Sequence, residues 1–498
     1  CFISIRIGQF GASPQKFCRR LHTSQGENTM GRRKELAKNT AILTVGRVCT
    51  QCINFLLLPF YTAMLSTGAY GTFDLMLTYS MLLLPLVGWQ LHQGLFRFML
   101  DDRQNTARHT VLFSTLLFFS VIQCGVYLAV FALVQAVVHV EHAYFLLVYV
   151  ILQVFNAMLM QFVRGLGKSV VYTIASFIAA TATALFNVLA LTCFHGGLTG
   201  LLVSTLLAQS LTLLYLLAAS GCRNYLSLRC IQPAIFKQVG AYSIPLVPNN
   251  LAWWVVNASD RTIVSYFLGA AANGVYSIAN KFSNVFVNFY NILNLSWAET
   301  VSLHYTDADR DEFLTETMNA MFQLFAAGCF GMAACMPFFF PVFIDAKYHD
   351  AYPQILILLY AMLFRVLVGL YSCVYVAQKN AKKIAETSIS AAVINIVVDL
   401  LLIQKIHIFA ASISTLAAFL ILFLVRYRDV NRTVHMKLKR SVVVGCLLMG
   451  GCLLYTYYCG NRRIQAGALV LTIGYAIGAN WETLRMGARF VRSKLHTK

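Results

Sequence analysis

Leu65-Ser66-Thr67-Gly68-Ala69-Tyr70-Gly71-Thr72-Phe73-Asp74-Leu75 returns 203 residues later as Leu268-Gly269-Ala270-Ala271-Ala272-Asn273-Gly274-Val275-Tyr276-Ser277-Ile278. Leu, Ala, Gly and an aromatic coincide in the two copies, with small residues between them. Each copy falls between two apolar runs, where an outer loop is expected and glycine would permit its tight turn. Self-similarity over so long a period marks a repeated architecture. Six apolar runs separate the copies, an even number, so two repeated halves would enter a membrane in the same orientation. That is the parallel-repeat plan of some transporters, with a binding site between the halves.

The surrounding chain supports a membrane reading. Hydrophobic residues make up 58% of the 498 and charged residues 12%, against roughly 45–50% and 25% in soluble domains. Mean hydropathy is +0.66. Disordered, collagenous and disulfide-scaffold classes are excluded by the same figures. A membrane helix needs about 20 mostly apolar residues. Roughly fourteen such runs lie near 41–65, 73–95, 111–135, 143–163, 169–194, 198–219, 242–268, 274–298, 317–344, 353–378, 384–404, 408–425, 441–459 and 464–481. The expected fold is all-α and polytopic. A six-helix lobe at 30–220, a basic connector at 221–240 and a second six-helix lobe at 241–428 are followed by a two-helix hairpin at 429–482 and a basic tail at 483–498. The connections are too short for a soluble catalytic domain, so no enzyme activity and no cofactor are expected.

The formal charge of +20 would suggest nucleic acid in a soluble protein, but here it reads as topology. Of 39 Lys and Arg, 27 fall in segments on one side of the expected membrane, and only Lys347, Lys405, Arg462 and Arg463 fall on the other. Basic loops stay cytoplasmic, so both termini are expected inside, with membrane lipids and no nucleic acid as partners. An acidic inner loop (Glu299, Asp307, Asp309, Asp311, Glu312, Glu316) runs against this, but acids weigh little in the rule. Arg223, Arg229 and Lys237 in the connector suit contact with anionic lipid. Met30 and Gly31-Arg32-Arg33-Lys34 look like a natural start, so residues 1–29 are expected to be upstream sequence read in frame. A targeting segment is the alternative.

The stretch from Ala69 to Leu75, with Phe96-Arg97-Phe98 after it, resembles the opening of Wzx-type polysaccharide flippases of O-antigen and exopolysaccharide pathways. So does Tyr242-Ser243-Ile244-Pro245-Leu246-Val247-Pro248-Asn249, continuing through Trp253-Trp254 and Asn257-Ala258-Ser259-Asp260-Arg261 to Ala279-Asn280-Lys281. The resemblance covers about residues 31–430. Its superfamily also holds multidrug exporters of the MATE type and the lipid II flippase, and these remain alternative readings. It implies a MATE-like flippase fold in a bacterial inner membrane. The implied cargo is undecaprenyl-diphosphate-linked oligosaccharide for surface polysaccharide, including lipopolysaccharide. A polysaccharide polymerase and a chain-length regulator are implied as further partners.

Charges at membrane depth are costly and face cavities or partners. Arg47, Gln51 and Asn54 share one helical face; so do Asn273, Ser277, Lys281, Asn284, Asn288 and Asn291, and Ser388, Asn395 and Asp399. Such stripes suit a wet central cavity, Asn pairing between packed helices being the alternative. Asn257 and Asn280 add to the lining. Arg47, Lys281 and Arg365 are the candidates for gripping a diphosphate; the resemblance implies basic residues on the first and eighth helices. Trp253, Trp254, Phe286, Phe289 and Tyr290 could stack on sugars or simply pack. Asp74 and Asp399 are the acids that could couple transport to protons or sodium, neutralising an Arg being the alternative. Asp260 and Arg261 are expected to be structural or gating. Pro245 and Pro248 interrupt the seventh run, and Pro59 and Pro85 the first two.

Three motifs carry no chemistry. Arg164-Gly165-Leu166-Gly167-Lys168-Ser169 lacks the first glycine and the strand of a phosphate loop. His139-Val140-Glu141-His142 lacks the His spacing of a helical zinc site, so no metal is expected. Cys49-Thr50-Gln51-Cys52 lacks the soluble context of a redox motif.

Overall fold

The computed structural model describes residues 55–101, 105–138 and 141–482, with Ile53 and Arg485. The stripe Arg47, Gln51 and Asn54 lies outside the described residues, as do residues 1–29 and Cys49 and Cys52. The described chain is helical throughout, with no strand. A short α1 (Leu58–Met64) precedes α2 (Thr67–Gly88), α3 (Leu91–Met99), α4 (Thr106–Val137), α5 (Ala143–Gly165), α6 (Ser169–Thr192) and α7 (Gly197–Ser220). Two single turns lead into α8 (Pro233–Ser243) in the connector. There follow α9 (Leu246–Leu268), α10 (Ala270–Leu303), α11 (Arg310–Phe343), α12 (Tyr352–Ala377), α13 (Ala381–Ile406) and α14 (Phe409–Val430). A closing pair, α15 (Arg440–Tyr458) and α16 (Arg462–Ala479), completes it.

Among the described residues ten helices are long and apolar enough to cross a membrane. They stand where apolar runs were expected. The helices α9, α10 and α16, of 23, 34 and 18 residues, are not among the ten. In α9 and α10 the polar residues just described thin the hydropathy.

Proline and left-handed backbone set the breaks. The expected span at 73–95 is two helices, because Trp89 and Gln90 adopt φ of 45° and 55°, one turn after Pro85, whose ring lacks a donor. The expected break in the seventh run lies at Ile244-Pro245, between α8 and α9. Helix α8 stays with the first half: Phe119 stacks on Phe236 at 3.8 Å, and Gly94 lies so close that a Cβ there would sit 2.2 Å from Ser243 Oγ. Val239 completes a buried cluster with Leu91, Leu95, Phe113 and Phe162. A second cluster runs from Tyr70 and Phe73 across to Tyr276 and Phe282, and on to Tyr371 of the deeply buried α12.

The ends are labelled outer and inner by the distribution of Lys and Arg. At the outer end the two repeat copies face each other, which corrects their expected role. Gly71 and Gly274 sit inside α2 and α10, not in turns; the turn is supplied by Gly269 at φ 87°. A Cβ on Gly71 would lie 1.8 Å from the Ala270 carbonyl oxygen, and one on Gly274 would lie 2.0 Å from that of Thr67. Thr67 and Ala270 are repeat equivalents, as are the two glycines, so the contact is symmetric about a pseudo-two-fold axis. Small residues spaced by four let helix backbones approach in this way. The turn Ala346–Ala351 braces the same end, with Tyr348 Oη donating to Ser66 O at 3.1 Å and Lys347 Nζ to Ala63 O at 2.9 Å.

Candidate functional site

The repeat contact carries charge. Asp74 on α2 is buried and receives three groups from the other half: Ser277 Oγ donates to Oδ2 at 2.6 Å, Arg261 Nη1 lies 3.3 Å from Oδ2, and Lys281 Nζ lies 3.6 Å from Oδ1. Ser277 is the repeat equivalent of Asp74 itself. Arg261 also donates to Thr78 Oγ1 at 3.0 Å, Trp254 Nε1 to Thr78 O at 2.8 Å and Asn273 Nδ2 to Gly71 O at 2.8 Å. One carboxylate thus holds two cations across the seam, the neutralising role left open by the sequence.

Below that seam the polar stripe of α10 changes character. Asn273 and Ser277 are fully buried against α2. The Lys281 side chain is 40% exposed, Asn284 and Asn288 are half-buried, and Asn291 is exposed, with Phe289 beside it. The halves therefore close on each other at the outer end of α10 and leave its inner end uncovered. Asn280 is half-buried on the same helix. Asn257 on α9 is exposed, and its Oδ1 accepts from Arg365 Nη1 at 2.6 Å. The Arg365 guanidinium lies 5.7 Å from the Phe419 ring centre and has no carboxylate partner among the described residues. Of the aromatic candidates, Phe286 and Tyr290 pack edge-on against Phe325 and Trp254 is held at Thr78, whereas Trp253 and Phe289 keep exposed faces.

A second buried group lies inside the second half. Asp260 Oδ2 accepts from Tyr276 Oη at 2.5 Å and from Thr415 Oγ1 at 3.0 Å, while Oδ1 has no partner. Asp399 is fully buried, within Coulombic range of Asp260, and neither of its carboxylate oxygens has a partner among the described residues. Asn395, one turn away, donates weakly to Ser414 and Thr415 at 3.4 Å and leaves Oδ1 unpaired. Four unpaired acceptor oxygens from α9 and α13 thus gather in one buried place, an arrangement that costs free energy unless a proton or cation shares it. Sequence reasoning named Asp399 and Asn395 on one stripe and Asp260 separately, as structural or gating, but did not bring Asp260 to them. The partners of Asp260 lie 16 and 155 residues away, so no local pattern signals them. Adjacent residues on a helix diverge by about 100°, which sends Arg261 to α2 and Asp260 to α14.

The remaining motifs are structural. Lys168 Nζ donates to Ser220 O at 2.8 Å, and Arg164 lies 4.3 Å from the Phe96 ring centre. The described cysteines are free, and no cluster of three metal-ligating His, Cys, Asp or Glu occurs among the described residues.

The architecture has solved counterparts. The lipid II flippase MurJ in an inward closed conformation superposes with a TM-score of 0.66 at 13% identity, over 92% of this chain and 100% of that one. An inward-facing MATE multidrug transporter gives 0.58 at 13% identity over 78% and 98%, and an outward-facing one gives 0.51 at 14% over 80% and 95%. These likenesses establish a shared flippase and exporter fold. No curated protein matches by sequence. A family model described as polysaccharide biosynthesis protein matches residues 36–297, more than half of the chain and both repeat copies, and the protein belongs to that polysaccharide-biosynthesis family.

Proposed function

We propose that the protein carries a lipid-diphosphate-linked oligosaccharide, undecaprenyl-diphosphate-linked in a bacterial inner membrane, from the inner to the outer leaflet by alternating access. The observation that carries this reading is the gradient along α10. A stripe that is sealed by Asp74 at one end and exposed at the other suits the lining of a polar space open to the side where such a substrate is made. Lys281 borders that space with part of its side chain free, and Arg365 has only neutral partners. Both suit an anionic headgroup, while the exposed Trp253 and Phe289 faces suit sugar rings.

Complementation of a polysaccharide-deficient strain with Lys281→Ala, Arg365→Ala and Arg47→Ala tests it. A lost charge-assisted hydrogen bond is worth about 1.5–3 kcal/mol, so flipping should fall roughly 10- to 150-fold in each. Normal flipping by all three overturns the cationic cavity. Unaltered polysaccharide with lost drug resistance would point to a MATE-like exporter instead.

The energy source in this reading is a proton or sodium ion taken up between Asp399 and Asp260, with Asn395 and Thr415 beside them. Asp74, already shared by two cations, is the weaker candidate. Asp399→Asn should abolish substrate-driven uptake of the ion in proteoliposomes while the melting temperature stays level or rises, because an amide removes an unpaired buried charge. Undiminished ion uptake would exclude Asp399 from coupling.

A further inference from the structure

A pocket of about 480 Å³ opens at the outer face, where the end of α11, the start of α12 and the junction of α15 with α16 meet. It lies outside the space between the halves. Its lining combines Arg462, His349 and Asp345 with Gln465 and the rings of Tyr457 and Tyr458. We propose that this pocket holds the headgroup of an amine-bearing, zwitterionic membrane phospholipid.

The charges favour that class. Basic residues are scarce on the outer side, where topology disfavours them, yet three of the four assigned there, Lys347, Arg462 and Arg463, stand on the two segments that form this pocket. Lys347 is committed to Ala63 O. The Arg462 guanidinium has no ion-pair or hydrogen-bond partner among the described residues, and it is free for a phosphodiester. Asp345 uses Oδ1 to cap Lys347 N at 3.1 Å and retains a second oxygen for an ammonium. A pure anion would meet Asp345 unfavourably, and a pure cation would meet Arg462 so. A headgroup with both charges satisfies both.

The walls are fixed before binding. Tyr457 Oη donates to Tyr352 O at 2.8 Å and Tyr352 Oη to Tyr457 O at 3.2 Å, with the rings stacked at 4.3 Å. Tyr458 Oη donates to Pro353 O at 2.7 Å. Their hydroxyls are thus spent on backbone, and the Tyr458 ring, 46% exposed, is left for an ammonium. Gln465 is buried at the floor, its side-chain amide donating to Tyr457 O at 3.5 Å. Pro341 at the pocket rim and the neighbouring Val342, 80% exposed, offer an apolar surface for acyl chains. The assignment stands whatever the space between the halves carries.

Native mass spectrometry of the full-length protein after delipidation tests it, with phosphatidylethanolamine, phosphatidylcholine and phosphatidylglycerol offered in turn. The wild type should retain the ethanolamine lipid about tenfold over the other two, the worth of one charged hydrogen bond. Arg462→Gln should lose retention of all three, and Asp345→Asn should lose only the preference for the amine. Lys405→Gln, an outer-side charge outside the pocket, should change nothing. Soluble glycerophosphoethanolamine should not displace the lipid; displacement would reassign the pocket to a free phosphate ester. Equal retention by wild type and Arg462→Gln, or an unchanged preference in Asp345→Asn, overturns the proposal. Matched melting temperatures exclude misfolding as the cause.

Discussion

Replacing Asp74 by Asn should be the most damaging single polar change in the seam, costing about 3–5 kcal/mol, the usual penalty for removing one partner of a buried ion pair. The amide keeps the shape and can still accept from Ser277, but it leaves Arg261 and Lys281 facing each other without a counter-charge. Arg261 bears most of this cost, because its side chain is only 12% exposed, whereas that of Lys281 is 40% exposed and can turn outward. The expected result is a lower melting temperature in detergent and loss of transport. A second substitution separates charge from shape: Asp74→Asn with Arg261→Gln should be less destabilised than the sum of the two single changes, since residues of one network do not act additively. Additive losses, or an unchanged melting temperature in Asp74→Asn, would mean that the charge does not hold the outer end closed.

Gly274→Ala and Gly71→Ala should open the same end by a different force. Each added methyl would overlap a carbonyl oxygen of the facing helix, at 2.0 Å and 1.8 Å, and backbone cannot turn aside as a side chain can. The helices must separate, and overpacking of this kind costs about 1–3 kcal/mol. The population with a closed outer end should therefore fall roughly 5- to 150-fold relative to the open form. Ser277, fully buried in the seam and one sulfur-for-oxygen exchange from cysteine, is the place for a reporter cysteine. Its labelling from outside should rise in both variants. Unchanged labelling and normal transport together would show that the seam tolerates separation.

Much of the architecture was legible because membrane spans are local. A run of about 20 apolar residues is set by bilayer thickness alone, so the helices from α4 onward begin and end within a few residues of the expected runs, α10 and α11 extending further. The proline break at Pro245 was legible for the same reason, since a missing backbone donor acts within one turn. The expected second span was misread across Trp89 and Gln90, whose left-handed backbone has no sequence signature comparable to glycine. The stripe on α10 was found through helical spacing, but its sealed and open ends were not, because burial of Ser277 and exposure of Asn291 depend on where α2 lies.

The amino-acid sequence by itself determined a polytopic helical membrane protein, the distribution of positive charge and the polar faces of individual helices. All of these depend on neighbours within a turn or a span. Only the tertiary structure decided what the repeated segments are for. Read along the chain, Gly71 and Gly274 were turn residues, Ser277 was one member of a polar stripe, and Asp74 was an acid open to either ion coupling or neutralising an Arg. Folded, the two copies meet face to face, so that each glycine admits the other half's backbone and one carboxylate gathers cations from two helices. The pairing of Asp260 with Asp399 belongs to the same class. Contacts across about 140 to 200 residues of chain leave no period to detect, because they are made by helix packing and not by helix geometry.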